Sequence, residues 1–402
     1  MPLHPSNKRF ATLITVVLAG LVAVSPLAID TYLVAMPAMA EFFGVEINII
    51  EFTITLYFLG FAIGNFVGGP LTDAFGRKTI ALVGITIYGL SALLISMSTH
   101  IEHVLILRVF QAFGGGFATV TANVMVRDWY SGKRVASIIT VMSMIMMLAP
   151  LLAPMIGTLI VTTSSWKGVF VFLTIFSTFM FVVLVFLIPE SREKALITRR
   201  LTASQFFEKY KIFFSDRSAV LLLFAVSTSM VGLYVYLPTA SFIFMEYFGV
   251  STVRFPMLFA GITSLNILFS FVNTQLLKRF MPRQILRVGM GIQLFGGTAF
   301  VALVLTGTET LLTVFLSIML FIGSLGLIFG NGSAAILNIN PKVSGSANAT
   351  IGITRFFLSS IIGSIIAMFH TGNLKPVAIT MLCCTVVANL LLLAFQRHIK
   401  HI

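Results

Sequence analysis

With 402 residues, 58% of them hydrophobic and only 10% charged, the chain is far too apolar for a soluble domain, in which about a quarter of residues carry charge. Its net charge of +13 invites a nucleic-acid partner. The cations, however, stand in short breaks between apolar runs, as membrane topology places them, and that excludes nucleic acid. No G-x-x-x-x-G-K-S/T run occurs and no polar stretch is long enough for a nucleotide-binding domain, so the chain does not burn ATP itself.

Taken in order, the apolar runs predict an all-α membrane protein with twelve transmembrane helices. They fall at 12–36, 48–70, 79–97, 101–124, 136–162, 168–188, 218–243, 254–277, 285–306, 310–334, 346–369 and 376–396. Each is near the ~20 residues that cross a ~30 Å hydrocarbon layer. Lys8-Arg9 ahead of the first run could begin a signal peptide, but the run extends from Phe10 to about Ala40. That far exceeds an h-region of roughly 7–15 residues, so the helix is expected to remain. The longest polar break follows the sixth run. It suggests two similar six-helix bundles, 1–188 and 218–402, joined by a cytoplasmic linker at 189–217, a symmetry common in secondary transporters.

Orientation follows from the cations. With the N-terminus inside, 21 of the 26 Lys and Arg fall in inner segments, and only Lys167, Arg254 and Lys375 fall in outer ones. Both termini are therefore expected to be cytoplasmic. Cys383 and Cys384 are adjacent in an apolar run and make no disulfide framework. The six histidines lie at termini or run edges, so neither a metal site nor any other cofactor is expected. Without a nucleophile–base constellation, the chain is not read as an enzyme. Trp129 and Trp166 are read as interfacial anchors.

In the first helix Asp30, within Pro26-Leu27-Ala28-Ile29-Asp30-Thr31-Tyr32, is read as the only acidic residue inside a span and as the natural proton carrier. Arg108 in the fourth helix, within Leu107-Arg108-Val109-Phe110-Gln111-Ala112, is its candidate partner. Along ideal helices the two lie about 16 Å and about 9 Å below the outer edge, a gap that a long side chain and tilt would close. Burial favours the neutral acid and a neighbouring cation favours the carboxylate, so motion that separates the pair would change proton affinity. The alternative is a static ion pair that fixes helix packing.

Between helices 2 and 3 lies Gly69-Pro70-Leu71-Thr72-Asp73-Ala74-Phe75-Gly76-Arg77-Lys78. Its glycines Gly69 and Gly76 permit a tight reversal, and Asp73 with Arg77 forms either a conformational latch or an ordinary solvated turn. In helix 5, Ala149-Pro150-Leu151-Leu152-Ala153-Pro154-Met155-Ile156-Gly157 sets small residues beside two kink-forming prolines. Pro150, Pro154 and Gly157 are read as a close-packed, pliable face at the meeting of the halves, or as a generic packing face. Tyr32, Tyr57, Gln111, Asn123, Met147, Tyr234 and Asn266 are candidate substrate contacts, with core or lipid packing as the alternative for each Met or Tyr. Arg355 in helix 11 either meets an anionic or carbonyl-bearing substrate or holds the bundle through backbone carbonyls.

These motifs carry a family resemblance. LAIDTYLVAMPAMAEFFGV, GPLTDAFGRK, the Arg108 run, VRDWYSGKR, the APLLAPMIG run and RFFLSSIIGS around Arg355 resemble the Bcr/CflA branch of drug–proton antiporters of the major facilitator superfamily (MFS). Ala74 stands where the loop motif has an arginine, Ala112 where the helix 4 motif has a glycine, and Ala149 and Ala153 replace glycines in helix 5. The resemblance implies an MFS fold of two pseudo-symmetric bundles and alternating access. It also implies export of drugs or small amphipathic metabolites in exchange for protons across a bacterial inner membrane. The expected partners are small-molecule substrates and membrane lipid, with the chain acting as a monomer. The alternatives are a dedicated exporter of one metabolite (a siderophore, an amino acid or a self-made antibiotic) and an importer of the same superfamily.

Overall fold

The structure is a computed structural model that describes residues 8–130, 133–192, 197, 214–339, 344–368 and 372–400. Among the described residues every regular element is helical. Hydrocarbon offers no hydrogen-bonding partner, so each segment that crosses it must satisfy its own backbone. The helices are α1 (Lys8–Asp30), α2 (Met36–Phe43), α3 (Ile47–Phe75), α4 (Arg77–Ser96), α5 (Ile101–Trp129), α6 (Lys133–Thr163) and α7 (Trp166–Leu187). They continue as α8 (Arg217–Ser241), α9 (Phe255–Leu276), α10 (Pro282–Thr306), α11 (Leu311–Gly323), α12 (Leu325–Ile339), α13 (Ser344–Met368) and α14 (Lys375–Lys400).

Among the described residues eleven stretches are long and apolar enough to cross a membrane, and Leu148–Thr163, the shorter apolar part of α6, makes a twelfth. Three spans are less regular than their hydropathy. Span 1 ends its first helix at Asp30, passes through a 3₁₀ turn at Leu33–Ala35 and resumes as α2, with Pro37 in its first turn. A proline has no N–H to bond the carbonyl four residues back, so helical bonding is interrupted ahead of Pro37. Span 7 runs from α8 through Pro238 into a π-helical turn, Phe242–Tyr247. Span 10 breaks between α11 and α12.

Contacts divide the chain into two units, 1–46 with 56–202 and 47–55 with 203–402. The sequence boundaries put all of 48–70 in the first bundle, whereas 47–55 groups with the second. In the first unit α1 packs on α5, α6 and α7, and α4 packs on α5 and α7. In the second, α8 packs on α12, α13 and α14, and α10 packs on α11, α12 and α14. Counted by span, 1 against 4, 5 and 6 becomes 7 against 10, 11 and 12, and 3 against 4 and 6 becomes 9 against 10 and 12. The repeat that is faint in sequence is plain in packing. Val171, Ile175, Phe179, Val182 and Phe186 form an exposed apolar stripe down α7, as a lipid-facing side requires. Trp166 departs from expectation. It is buried among the rings of Phe42, Phe43 and Phe170 rather than standing in an interfacial belt.

Candidate functional site

The break in span 1 builds the site. A helix end leaves carbonyls without intrahelical partners, and the last turn of α1 meets this need with side chains. Thr31 donates from both its backbone N–H (3.2 Å) and its hydroxyl (2.6 Å) to the Leu27 carbonyl. Arg108, fully buried on α5, donates from Nη1 to the Ala28 carbonyl at 3.2 Å and to Gln111 Oε1 at 2.9 Å. Its guanidinium carbon sits 4.4 Å from the centre of the Tyr32 ring and 4.6 Å from that of Tyr57. Cation–π contact of this kind is worth most when both groups are removed from water. Tyr57 in turn donates to Ser25 Oγ at 3.1 Å, and Tyr88 donates to the Val24 carbonyl at 3.1 Å. Arg108 Nε and Nη2 make no hydrogen bond.

Asp30 is the final residue of α1 and only 4% exposed. The expected ion pair with Arg108 is not formed: the three ion pairs among the described residues all lie elsewhere. Depth along the axis fixes height but not direction, and Asp30 lies about 200° around the helix from Ala28, whose carbonyl Arg108 holds. Beyond Asp30, Thr31 rests against α6. A Cβ at Gly157 would overlap the Thr31 carbonyl, so only glycine permits this approach. The small-residue face of helix 5 therefore meets span 1 of its own unit at Gly157. Pro154 in the same helix is buried and Pro150 half-buried.

Asp30 is also not the only acid within a span. Glu51, on α3, is 2% exposed. It lies three residues inside the predicted start of its span, where a carboxylate reads as an edge charge, and burial was its only distinguishing signal.

The candidate substrate residues separate into groups. Tyr32, Tyr57 and Gln111 are fully buried and enclose Arg108. Tyr234 and Arg355 converge on Phe356: the Tyr234 ring is 4.9 Å from it, and the Arg355 guanidinium lies 4.8 Å over it and 5.0 Å over Phe329. Asn123 is exposed and donates to the carbonyl of Thr119 on its own helix. Asn266 donates to the Ile322 carbonyl at 3.1 Å, beside the break between α11 and α12. The side chain of Met147 lies outside the described residues.

At the junction of α3 and α4 the loop motif forms a charge lattice. Arg77 bonds Asp73 at 2.6 Å, Thr72 Oγ1 at 3.2 Å and Asp128 at 3.0 Å. Glu190 accepts from the backbone N–H groups of Arg77 (2.8 Å) and Lys78 (3.0 Å), capping α4 where the helix dipole favours an anion. Arg192 adds a second cation to Asp73 at 3.2 Å. Gly76, with φ of +93°, makes the corner, and a Cβ there would come within 2.6 Å of Glu190. Nothing in the structure crowds Gly69. Sequence reasoning missed Asp128 and Glu190. Both are acids in polar breaks between apolar runs, near the cations of the loop motif, and that proximity to a run's edge was the available signal.

The chain matches the Major Facilitator Superfamily profile over residues 18–367. It is 27% identical over 388 residues to a bicyclomycin resistance protein homolog of Haemophilus influenzae, covering 96% of each chain. It is 26% identical over 375 residues to the multidrug resistance protein MdtL of Salmonella paratyphi A, covering 93% of this chain and 92% of that one. Its fold resembles that of a bacterial homolog of the human lysosomal transporter Spinster, with a TM-score of 0.74, 15% identity and 98% of each chain covered. The D-xylose–proton symporter gives a TM-score of 0.72 at 15% identity, covering 94% of this chain and 97% of that one.

Proposed function

The chain belongs to the major facilitator superfamily and is a multi-pass membrane transporter, and from that premise we propose that it exports drugs or small amphipathic metabolites in exchange for protons. Export proceeds by alternating access across the bacterial cytoplasmic membrane, by a monomer with both termini inside. The bicyclomycin resistance and multidrug relatives support the drug-export reading, and the 21-to-3 distribution of cations supports the orientation. Asp73, Gly76 and Arg77 gate the cycle at its cytoplasmic end, and Arg355 with Tyr234 contributes to substrate contact.

The observation that carries the reading is the Asp30 carboxyl, buried where span 1 leaves α geometry. Its neighbours grip the break from two sides, Arg108 through the Ala28 carbonyl and Gly157 against Thr31. A charge taken out of water is costly, so the protonation of Asp30 and the conformation of the break are linked. One proton moving inward down 100 mV and one pH unit releases about 3.7 kcal/mol, which sustains roughly a 500-fold gradient of a neutral substrate. The test is Asp30→Asn in proteoliposomes. Ethidium counterflow, which moves no net proton, is expected to survive, while efflux driven by a pH gradient is expected to vanish. Gradient-driven efflux that persists in Asp30→Asn sinks the reading.

A further inference from the structure

The mechanism built on Asp30 leaves Glu51 unused. Glu51 lies five residues into α3, about 6 Å from its start, and only 2% of its surface is exposed. Glutamate is almost never buried this completely unless another group engages it, and an ionisable group inside a membrane span marks a function by default.

Its surroundings specify the task. Glu51 borders a cavity of about 10 Å³ whose wall includes Thr55 on α3, Pro238 and Thr239 on α8, and Gly363 on α13. That is close to the smallest volume that holds one water. On one side the wall is tight: a Cβ at Gly363 would stand 2.7 Å from the Thr55 side-chain Oγ1. On the other side the wall is pliable. Pro238 removes a helical N–H, and α8 passes into the π-helical turn Phe242–Tyr247, a geometry that concentrates at functional positions. The same turn carries Glu246, a second carboxyl that acts electrostatically on Glu51. Among the described residues α3 and α13 bring no further titratable side chain to the cavity wall.

We propose that Glu51 is a second proton-binding site of the transport cycle, emptied and refilled as the cavity beside Pro238 wets and dries. The ligand is a single proton. The carboxyl O–H bond breaks, the proton passes to a water admitted to the cavity, and the reverse transfer restores the neutral acid; no electrons move. Repitching span 7 at Pro238 and the π-helical turn that follows shifts both the cavity wall and Glu246, so this site answers to the geometry of span 7 while Asp30 answers to the break in span 1. The inference rests on proton-coupled exchange, and its test separates the two.

Purified protein in lipid vesicles is titrated while the carboxylic C=O stretch is followed by infrared difference spectroscopy, with Asp30→Asn as background. A titrating carboxyl band is expected in Asp30→Asn, lost in Asp30→Asn/Glu51→Gln and displaced rather than lost with Glu51→Asp. Ethidium efflux gives the second readout. One proton contributes a limb of about tenfold per pH unit, and Glu51→Gln alone is expected to lower the slope by that amount. A titrating band that Glu51→Gln leaves in place, or a pH profile unchanged in Glu51→Gln, overturns the proposal. Efflux indifferent to a protonophore in the unsubstituted protein overturns the exchange reading instead, and the infrared titration still decides Glu51.

Discussion

Among its described residues the first unit buries two arginines, Arg77 and Arg108, and treats them in opposite ways. Arg77, 4% exposed, is met by Asp73 and Asp128, with Thr72 filling a further donor. Arg108, 0% exposed, meets no carboxylate; a carbonyl, an amide and two tyrosine rings hold it, and two of its nitrogens make no hydrogen bond. A cation met by two carboxylates is costly to release, so it latches the conformation that forms the pairs. One held by weaker, incomplete contacts is free to exchange partners during a cycle, because little is lost when it lets go. The difference teaches where to look for chemistry: in the less satisfied of two buried charges.

The most severe way to break this comparison is Arg77→Ala. Arg77 is buried but its two acids are partly solvated, so the loss is that of one half-buried and one exposed charge contact, about 2–4 kcal/mol. Thermal unfolding in detergent is expected to fall sharply, with transport declining in parallel. Transport lost at full stability would show that Arg77 is no mere fastener.

Next in size is the contrast between its two acids. The Asp128 side chain is 23% exposed and the Asp73 side chain 63%. Asp128→Asn is expected to cost about 1.5–3 kcal/mol, as for a hydrogen bond to a charged group. Asp73→Asn is expected to cost about 0–1 kcal/mol, since solvent screens an exposed pair. Equal losses in a thermal-shift comparison would mean that the lattice works as one body rather than through its buried arm.

Arg108→Lys reverses the signature. The ammonium keeps the charge but loses the planar stack between Tyr32 and Tyr57, about 1–2 kcal/mol. Initial efflux is expected to slow about tenfold, while the unfolding temperature moves less than in Arg77→Ala. A stability loss larger than the transport loss would make Arg108 a structural residue.

These contrasts also show which features the sequence made legible. Lipid forces each span to be a helix, so hydropathy was enough for an all-α chain with eleven to twelve apolar spans. Asp73, Gly76 and Arg77 were legible because a short loop confines its residues to one neighbourhood. The Asp30–Arg108 pair failed because depth says nothing about azimuth, and the C-terminal carbonyls of a broken α1 competed successfully for Arg108. Asn123 and Asn266 were polar residues in spans, yet backbone carbonyls engage both. Hydropathy cannot distinguish a residue that bonds a helix from one that faces cargo.

The smallest effect sharpens the comparison most finely. Tyr57 touches Arg108 through its ring and Ser25 through its hydroxyl, so Tyr57→Phe removes the second contact and keeps the first. One neutral hydrogen bond is worth about 0.5–1.5 kcal/mol, and losing it leaves the buried Ser25 hydroxyl without that donor. If the ring face is what positions Arg108, Tyr57→Phe retains near-normal efflux with a slightly lower unfolding temperature, whereas Tyr57→Leu, which removes the ring, reproduces the loss seen in Arg108→Lys. Should Tyr57→Phe slow transport as much as Tyr57→Leu, the hydroxyl and Ser25 belong to the proton path, and the cage around Arg108 is a hydrogen-bonded relay rather than an aromatic clamp.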